Sequence, residues 1–214
     1  MMWLLSLPVL AAPQVAYQAD MVIQLHGPTF GGRLHGELLL TEDAFRVSVL
    51  GPAGSELAVF IGDNQEVSGA LLAEGVQFST SQTPAIMATL SQNQLTELNL
   101  PTFFLALWPC DLETVDCREK SEQPKKVTLG KEALILHYPN YKNMDGVELP
   151  VKIRADLPTI DWKLRFHIKN WSEVPYQATA FEADFPEPEI EKEFVLTLEE
   201  MVKNSLNRKS EHPE

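Results

Sequence analysis

Seven consecutive residues, Lys163-Leu164-Arg165-Phe166-His167-Ile168-Lys169, alternate charged or polar with apolar side chains without a break. A period of two is the signature of a β-strand, whose successive side chains point to opposite faces. Three apolar residues on one side and four charged or polar ones on the other describe a strand buried on one face only. Such a strand needs antiparallel neighbours with the same one-sided pattern, and the rest of the chain supplies them.

Phe45, Val47 and Val49 alternate with Arg46 and Ser48, and Leu57, Val59 and Ile61 alternate with Glu56 and Ala58. Gly51-Pro52-Ala53-Gly54 between them is turn chemistry, so the pair reads as a hairpin. Further strands are predicted at 34–40, 66–71, 134–138, 147–153 and 163–169. Pro139-Asn140 ends the run at 134–138, and Pro150 marks an edge or bulge. The middle of the chain changes period. Thr83 is a plausible N-cap with Pro84 at the first helical position, and Pro101 and Pro109 bracket an almost wholly apolar segment. Two short helices are expected, over 84–92 and 102–108, with their apolar faces covered by the sheet. Residues 111–126 read as an exposed polar loop. Beyond a Pro-Glu linker starting at 186, Phe194, Leu198, Met201 and Val202 recur at helical spacing, predicting an amphipathic helix over 190–206.

Composition limits the partners. The chain carries 30 acidic against 17 basic residues, a formal net charge of -13. That balance repels nucleic acid and anionic membranes, and argues against a cationic, membrane-seeking face. The apolar run Trp3–Leu10, followed by Ala11-Ala12, reads as a signal peptide cleaved after Ala11; a buried first strand is the competing reading. Nothing later is long and apolar enough for a membrane-spanning helix. In an exported chain, Cys110 and Cys117 read as a disulfide closing a short loop, against two free thiols or a metal site.

No constellation for catalysis stands out. His26, His35, His137, His167 and His212 lack metal-ligand spacing, and no nucleophile elbow, phosphate loop or dinucleotide fingerprint is present. The reading is a non-enzyme without cofactor or metal.

An ordered set of segments carries a family likeness. Phe45-Arg46-Val47-Ser48-Val49-Leu50-Gly51-Pro52-Ala53-Gly54-Ser55-Glu56-Leu57 resembles the strand–loop–strand of the outer-membrane lipoprotein receptor LolB. Thr83 to Trp108 is similar to that family's helix and its Leu-Pro-x-x-x-Leu-x-x-Trp segment, here Leu100-Pro101 through Leu105 to Trp108. Tyr138/Tyr141, Leu149-Pro150 and Asn170-Trp171 follow in the family's order. The likeness spans residues 20–172. Two departures stand beside it: the chain lacks the lipidated Cys, and Ala53 occupies the place of a protruding loop Leu.

The resemblance implies a mainly β, α+β fold: a curved antiparallel sheet forming an unclosed β-barrel with a helical lid, shared by LolB and the carrier LolA. The implied barrel domain is expected over 12–185, between the signal peptide over 1–11 and the C-terminal linker and helix over 186–214 that are read from the residues themselves. The implied function is an envelope carrier or receptor that holds acyl chains during transfer to the outer membrane. The alternative is a structural or protein-binding envelope module with a filled interior. The expected cavity lining is Val47, Val49, Leu57, Val59 and Ile61 from the hairpin; Met87, Leu90, Leu98, Phe103, Phe104, Leu107 and Trp108 from the helical segments; and Val151, Ile153, Leu164, Phe166 and Ile168 from the later strands. Pro52, Ala53 and Gly54 form the expected membrane-facing loop. The partners implied are acyl chains of lipoproteins or other lipids and an envelope transport protein, met by a monomer in the periplasm or at the periplasmic face of a Gram-negative outer membrane. Such cargo requires a carrier: each methylene moved into water costs about 0.8 kcal/mol, so a long chain costs on the order of 10 kcal/mol.

Overall fold

The computed structural model describes residues 15–28, 31–63, 66–72, 76–80, 100–119, 121–182, 185 and 190–191. The predicted signal peptide, the helix over 84–92, and Met87, Leu90 and Leu98 lie outside these residues.

The described residues form one sheet of 12 strands, ordered β12-β6-β5-β4-β3-β2-β1-β11-β10-β9-β8-β7. The strands are β1 (Val15–His26), β2 (Gly31–Leu40), β3 (Ala44–Leu50), β4 (Glu56–Asp63), β5 (Val67–Leu71), β6 (Val76–Thr80), β7 (Val115–Cys117), β8 (Pro124–Leu129), β9 (Leu134–Met144), β10 (Val147–Leu157), β11 (Trp162–Pro175) and β12 (Ile190–Glu191). Every pairing is antiparallel except β12 on β6. The two ends of the order do not pair, so the sheet is open. Short turns make this mostly up-and-down order possible. Asp145 and Gly146, both at positive φ (51° and 95°), form the two-residue link between β9 and β10, the backbone that a tight hairpin favours. Thr41 Oγ1 accepts from the Ala44 amide at 2.8 Å and closes the β2–β3 turn.

One face of the sheet carries the core. Directly paired residues share a face, so the register assigns Ile153, Phe166, Ile23 and Leu34 to one transverse row, and Ala19, Leu38, Val47 and Phe60 to another. The six-residue helix α1 (Leu100–Leu105) packs on this inner face and touches both β3 and β10. Those strands are four steps apart, roughly 19 Å in a flat sheet. A helix about 9 Å long reaches both because the sheet curls around it.

Several expectations are corrected. Strand β1, central in the sheet, was not among the predicted strands, and neither was β6. The polar stretch 111–126 is not a loop throughout, because β7 and the start of β8 lie in it and bury Val115 and Val127. The apolar helix spans 100–105 instead of 102–108. Ala106 takes the left-handed conformation (φ 57°) and the Leu107 amide reaches back to the Thr102 carbonyl at 3.1 Å, a helix-ending motif. Pro139 does not end its strand, because β9 continues through an irregular register to Met144. Ile190 and Glu191 pair with Val76 and Gln77 of β6 as a strand, covering that edge, so no helix begins at 190; residues 192–206 lie outside the described set.

Candidate functional site

The inner face is apolar across most of the sheet. Met21, Leu38, Leu136, Ile153 and Ile168 are fully buried, and Phe103 and Phe104 of α1 lie edge-on to Phe166, with ring centroids 5.4 and 5.6 Å away. Tyr138 ties the helix to the sheet. Its hydroxyl donates to the Phe103 carbonyl at 2.9 Å and accepts from the Trp108 indole at 2.8 Å. Burial pushes its ionisation well above the ordinary phenol range. Trp171 plays a similar part at the β10 irregularity, donating to the Pro150 carbonyl at 2.9 Å.

Toward one end of the sheet a group of the apolar lining residues is partly exposed. Leu25, Leu34, Trp162 and Leu164, at the end of β1 and the starts of β2 and β11, pack against the core but remain partly exposed. The indole Nε1 of Trp162 is buried there without a hydrogen-bond partner. A Cβ on Gly27 would fall 2.8 Å from that nitrogen, so only glycine lets the backbone lie against the ring. An unpaired buried donor beside partly exposed apolar side chains is suited to an ester or carboxyl oxygen at the head of an acyl chain.

The predicted lining divides. Val47, Val49, Phe103, Phe104, Ile153, Phe166 and Ile168 are buried on the inner face, while Trp108, Val151 and Leu164 are partly buried against the core. Leu57, Val59 and Ile61 are not on this face. Val49 pairs with Ala58 but Leu50 pairs with Glu56, so Leu57 is the extra residue of a β-bulge. Past the bulge, Val47 faces Phe60, which leaves Val59 and Ile61 on the outer face, opposite Ser48 and Arg46. Both are nonetheless buried there. Leu107, beyond the helix end, is 48% exposed and lines nothing. Phe60, Leu25, Leu34 and Trp162 belong to the inner face and were missed. The alternation Leu34-His35-Gly36-Glu37-Leu38 carried the signal for Leu34.

At the β3–β4 loop, Ala53 and Gly54 are both exposed and at positive φ (69° and 79°). The tip therefore presents backbone and a methyl group. Leu57, turned outward by the bulge and 36% exposed, packs on Gly51 at the base of the loop. Cys110 and Cys117 are joined by a disulfide with Cα atoms 5.9 Å apart. Among the described residues no cluster of His, Cys, Asp or Glu is arranged to hold a metal. A polar pocket of about 240 Å³ lies on the outer face between Glu37, Arg46, Ser48 and Glu56. Glu56 accepts from Ser48 at 2.7 Å and pairs with Arg46 at 3.3 Å, so its polar groups satisfy one another.

No protein-family model and no curated protein matches the sequence. Solved structures match the fold. A DUF1329 family protein from Desulfovibrio piger superposes with a TM-score of 0.57 at 11% identity, over 81% of this chain and 91% of its own. A LolA superfamily protein from Nitrosomonas europaea gives 0.53 at 13%, over 81% and 92%. A domain from Vibrio parahaemolyticus provisionally assigned to outer membrane lipoprotein sorting gives 0.54 at 10%, over 78% and 89%. At these identities the likeness is one of fold, which this chain has in common with these three structures, a LolA superfamily protein among them.

Proposed function

We propose that the inner face holds the acyl chain of a lipid or lipoprotein, and that the protein carries or receives such cargo in a Gram-negative envelope. The observation that carries this reading is the one-sided apolar lining that is partly exposed, at Leu25, Leu34, Trp162 and Leu164, toward one end of an open sheet. The likeness to a LolA superfamily protein and to a lipoprotein-sorting domain supports it. Residues 12–185 form the working domain in this reading, preceded by a signal peptide over 1–11. The chain acts as a monomer and needs no catalytic residue, because the interior offsets the cost of exposing methylenes to water.

The interior is well packed around α1, so a bound chain has to displace Phe103 and Phe104 from Phe166. Exposed Leu57 is better placed than Ala53 to touch a membrane beside the 51–54 loop. Mass spectrometry of lipids co-purifying with the native protein tests the reading. Stoichiometric acyl lipid is expected; protein free of lipid that also fails to take up a fluorescent fatty acid favours the filled structural module instead.

A further inference from the structure

The net charge of -13 predicts no cationic face, yet the strand register builds one. Arg33 pairs with Gln24, Gln24 with Arg165, Arg165 with Arg154, Arg154 with His137, and His137 with Lys126. These residues form a single transverse row on the outer face across β2, β1, β11, β10, β9 and β8. Five inter-strand steps of about 4.8 Å give a belt roughly 24 Å long. Lys163 and Lys152 flank it in the adjoining rows, through their pairing with Asp156 and His167.

Among the described residues the belt is not neutralised. Arg33, Arg154 and Arg165 are exposed and have no ion-pair partner among the described residues; Asp156 lies 3.9 Å from His137 and is the one carboxylate paired into the row. Arg154 directly opposite Arg165 is a like-charge pair that costs sheet stability. His167 registers the same field: its pKa is lowered by burial first, then by Lys152, Lys169, Arg33 and Arg165.

The belt's position matters as much as its sign. Each member adjoins, in sequence, a member of one inner row: Gly32, Leu25, Leu164, Ala155, Leu136 and Val127. The cationic row is therefore the outer wall of the same end at which the apolar lining is partly exposed. Leu57 and the 51–54 loop lie toward this end too, next to Leu50, which pairs with His35 two residues from Arg33. The row contains no Phe, Tyr or Trp side chain on which bases stack. Spaced cations along the curved rim of this end, with exposed apolar side chains beside them, match a layer of lipid phosphates.

We infer that this end of the sheet docks on an anionic lipid surface through the Arg33–Arg165–Arg154 belt. The choice of lipid over an acidic protein rests on the carrier reading; the belt itself does not. Acidic residues elsewhere are screened beyond about 8 Å at physiological ionic strength, so the local face decides the contact and orients the molecule.

Flotation of the full chain with phosphatidylcholine vesicles, with and without 30 mol% phosphatidylglycerol (roughly the level needed for a marked surface charge), provides the test. Binding is expected only with the anionic lipid and is lost at high salt. Arg154→Gln with Arg165→Gln is expected to lower the partition about 25-fold, at about fivefold per charge. The doubly substituted chain removes a like-charge pair, so its thermal stability should equal or exceed that of the wild type, and Lys142→Gln at the opposite end should bind normally. Equal binding to both vesicles, or unchanged binding of the double variant, overturns the inference. Binding to soluble polyglutamate but not to anionic vesicles overturns the lipid occupant in favour of an acidic protein. Fatty-acid uptake by the double variant separates the two readings: it is retained if the belt only docks, and its absence in the wild type defeats the carrier reading while leaving docking intact.

Discussion

The Trp108 indole donates to the Tyr138 hydroxyl at 2.8 Å, and that hydroxyl in turn donates to the Phe103 carbonyl. One buried phenol thus holds both the second half of α1 and the segment just beyond its end. Tyr138→Phe leaves an indole N–H and a carbonyl unpaired, and is expected to cost about 2–3 kcal/mol. Urea unfolding gives that value, and near-ultraviolet circular dichroism should show loosened Trp108 packing before the sheet unfolds.

The same phenol sets an alkaline limit. Burial raises the ionisation of Tyr138 and Tyr141 above the ordinary range; Arg118 beside Tyr141 pulls the other way without reversing the shift. A raised folded-state pKa leaves its stability intact below the unfolded value, near 10, and removes it as the pH rises further. Urea midpoints should be level from about pH 8 to 10 and fall above that, less steeply in Tyr138→Phe. A wild-type profile still flat at about pH 11 would show that the hydroxyl is not sequestered.

Phe104→Ala removes a ring that packs on both Phe103 and Phe166 and should destabilise the protein by about 3–4 kcal/mol. If the inner face accepts acyl chains, a medium-chain fatty acid should fill the vacated volume and recover part of the lost melting temperature. Equal melting temperatures with and without the acid count against the site.

Trp162→Phe takes away a buried donor that has no partner. Stability should stay within about 1 kcal/mol of wild type, because lost indole packing on Gly27 is offset by relief of the unpaired N–H. Affinity for an acyl ester should fall about fivefold if its carbonyl accepts this bond, while affinity for a plain alkane should not change. A parallel loss for both ligands would assign Trp162 to packing alone.

Strand β11 and the β3–β4 hairpin were legible because their alternation runs unbroken. Strand β1 was not, although it sits mid-sheet. Val22 is buried on its outer face, Ala16 and Ala19 carry little hydrophobic signal, and Asp20 interrupts the run. Strand β7 is three residues long and hidden among acidic neighbours. The inner residues of β4 were misassigned because both of its parities are apolar. Leu57-Val59-Ile61 looks as inward as Ala58-Phe60, and only pairing decides. The belt has the same origin: each strand shows its own cations, but no strand shows that they line up.

The bulge at Leu57 makes β4 behave like a text read two letters at a time, with one letter inserted. If the bulge were ironed out with Leu57 kept, the pairing that starts at Leu50 and Glu56 would run on in the other reading frame: Val59 would face Val47, and Phe60 would be turned to the outside beside Arg46. The change is one residue, yet every side chain of the strand changes sides, and Gly62 leaves the place where a Cβ would fall 2.2 Å from the Glu66 carbonyl oxygen. The extra residue and the order of the apolar residues after it therefore depend on each other. Chains of the same length that lack the bulge should therefore exchange the aromatic and the β-branched residues of β4, whereas chains without a residue at position 57 should keep them in place.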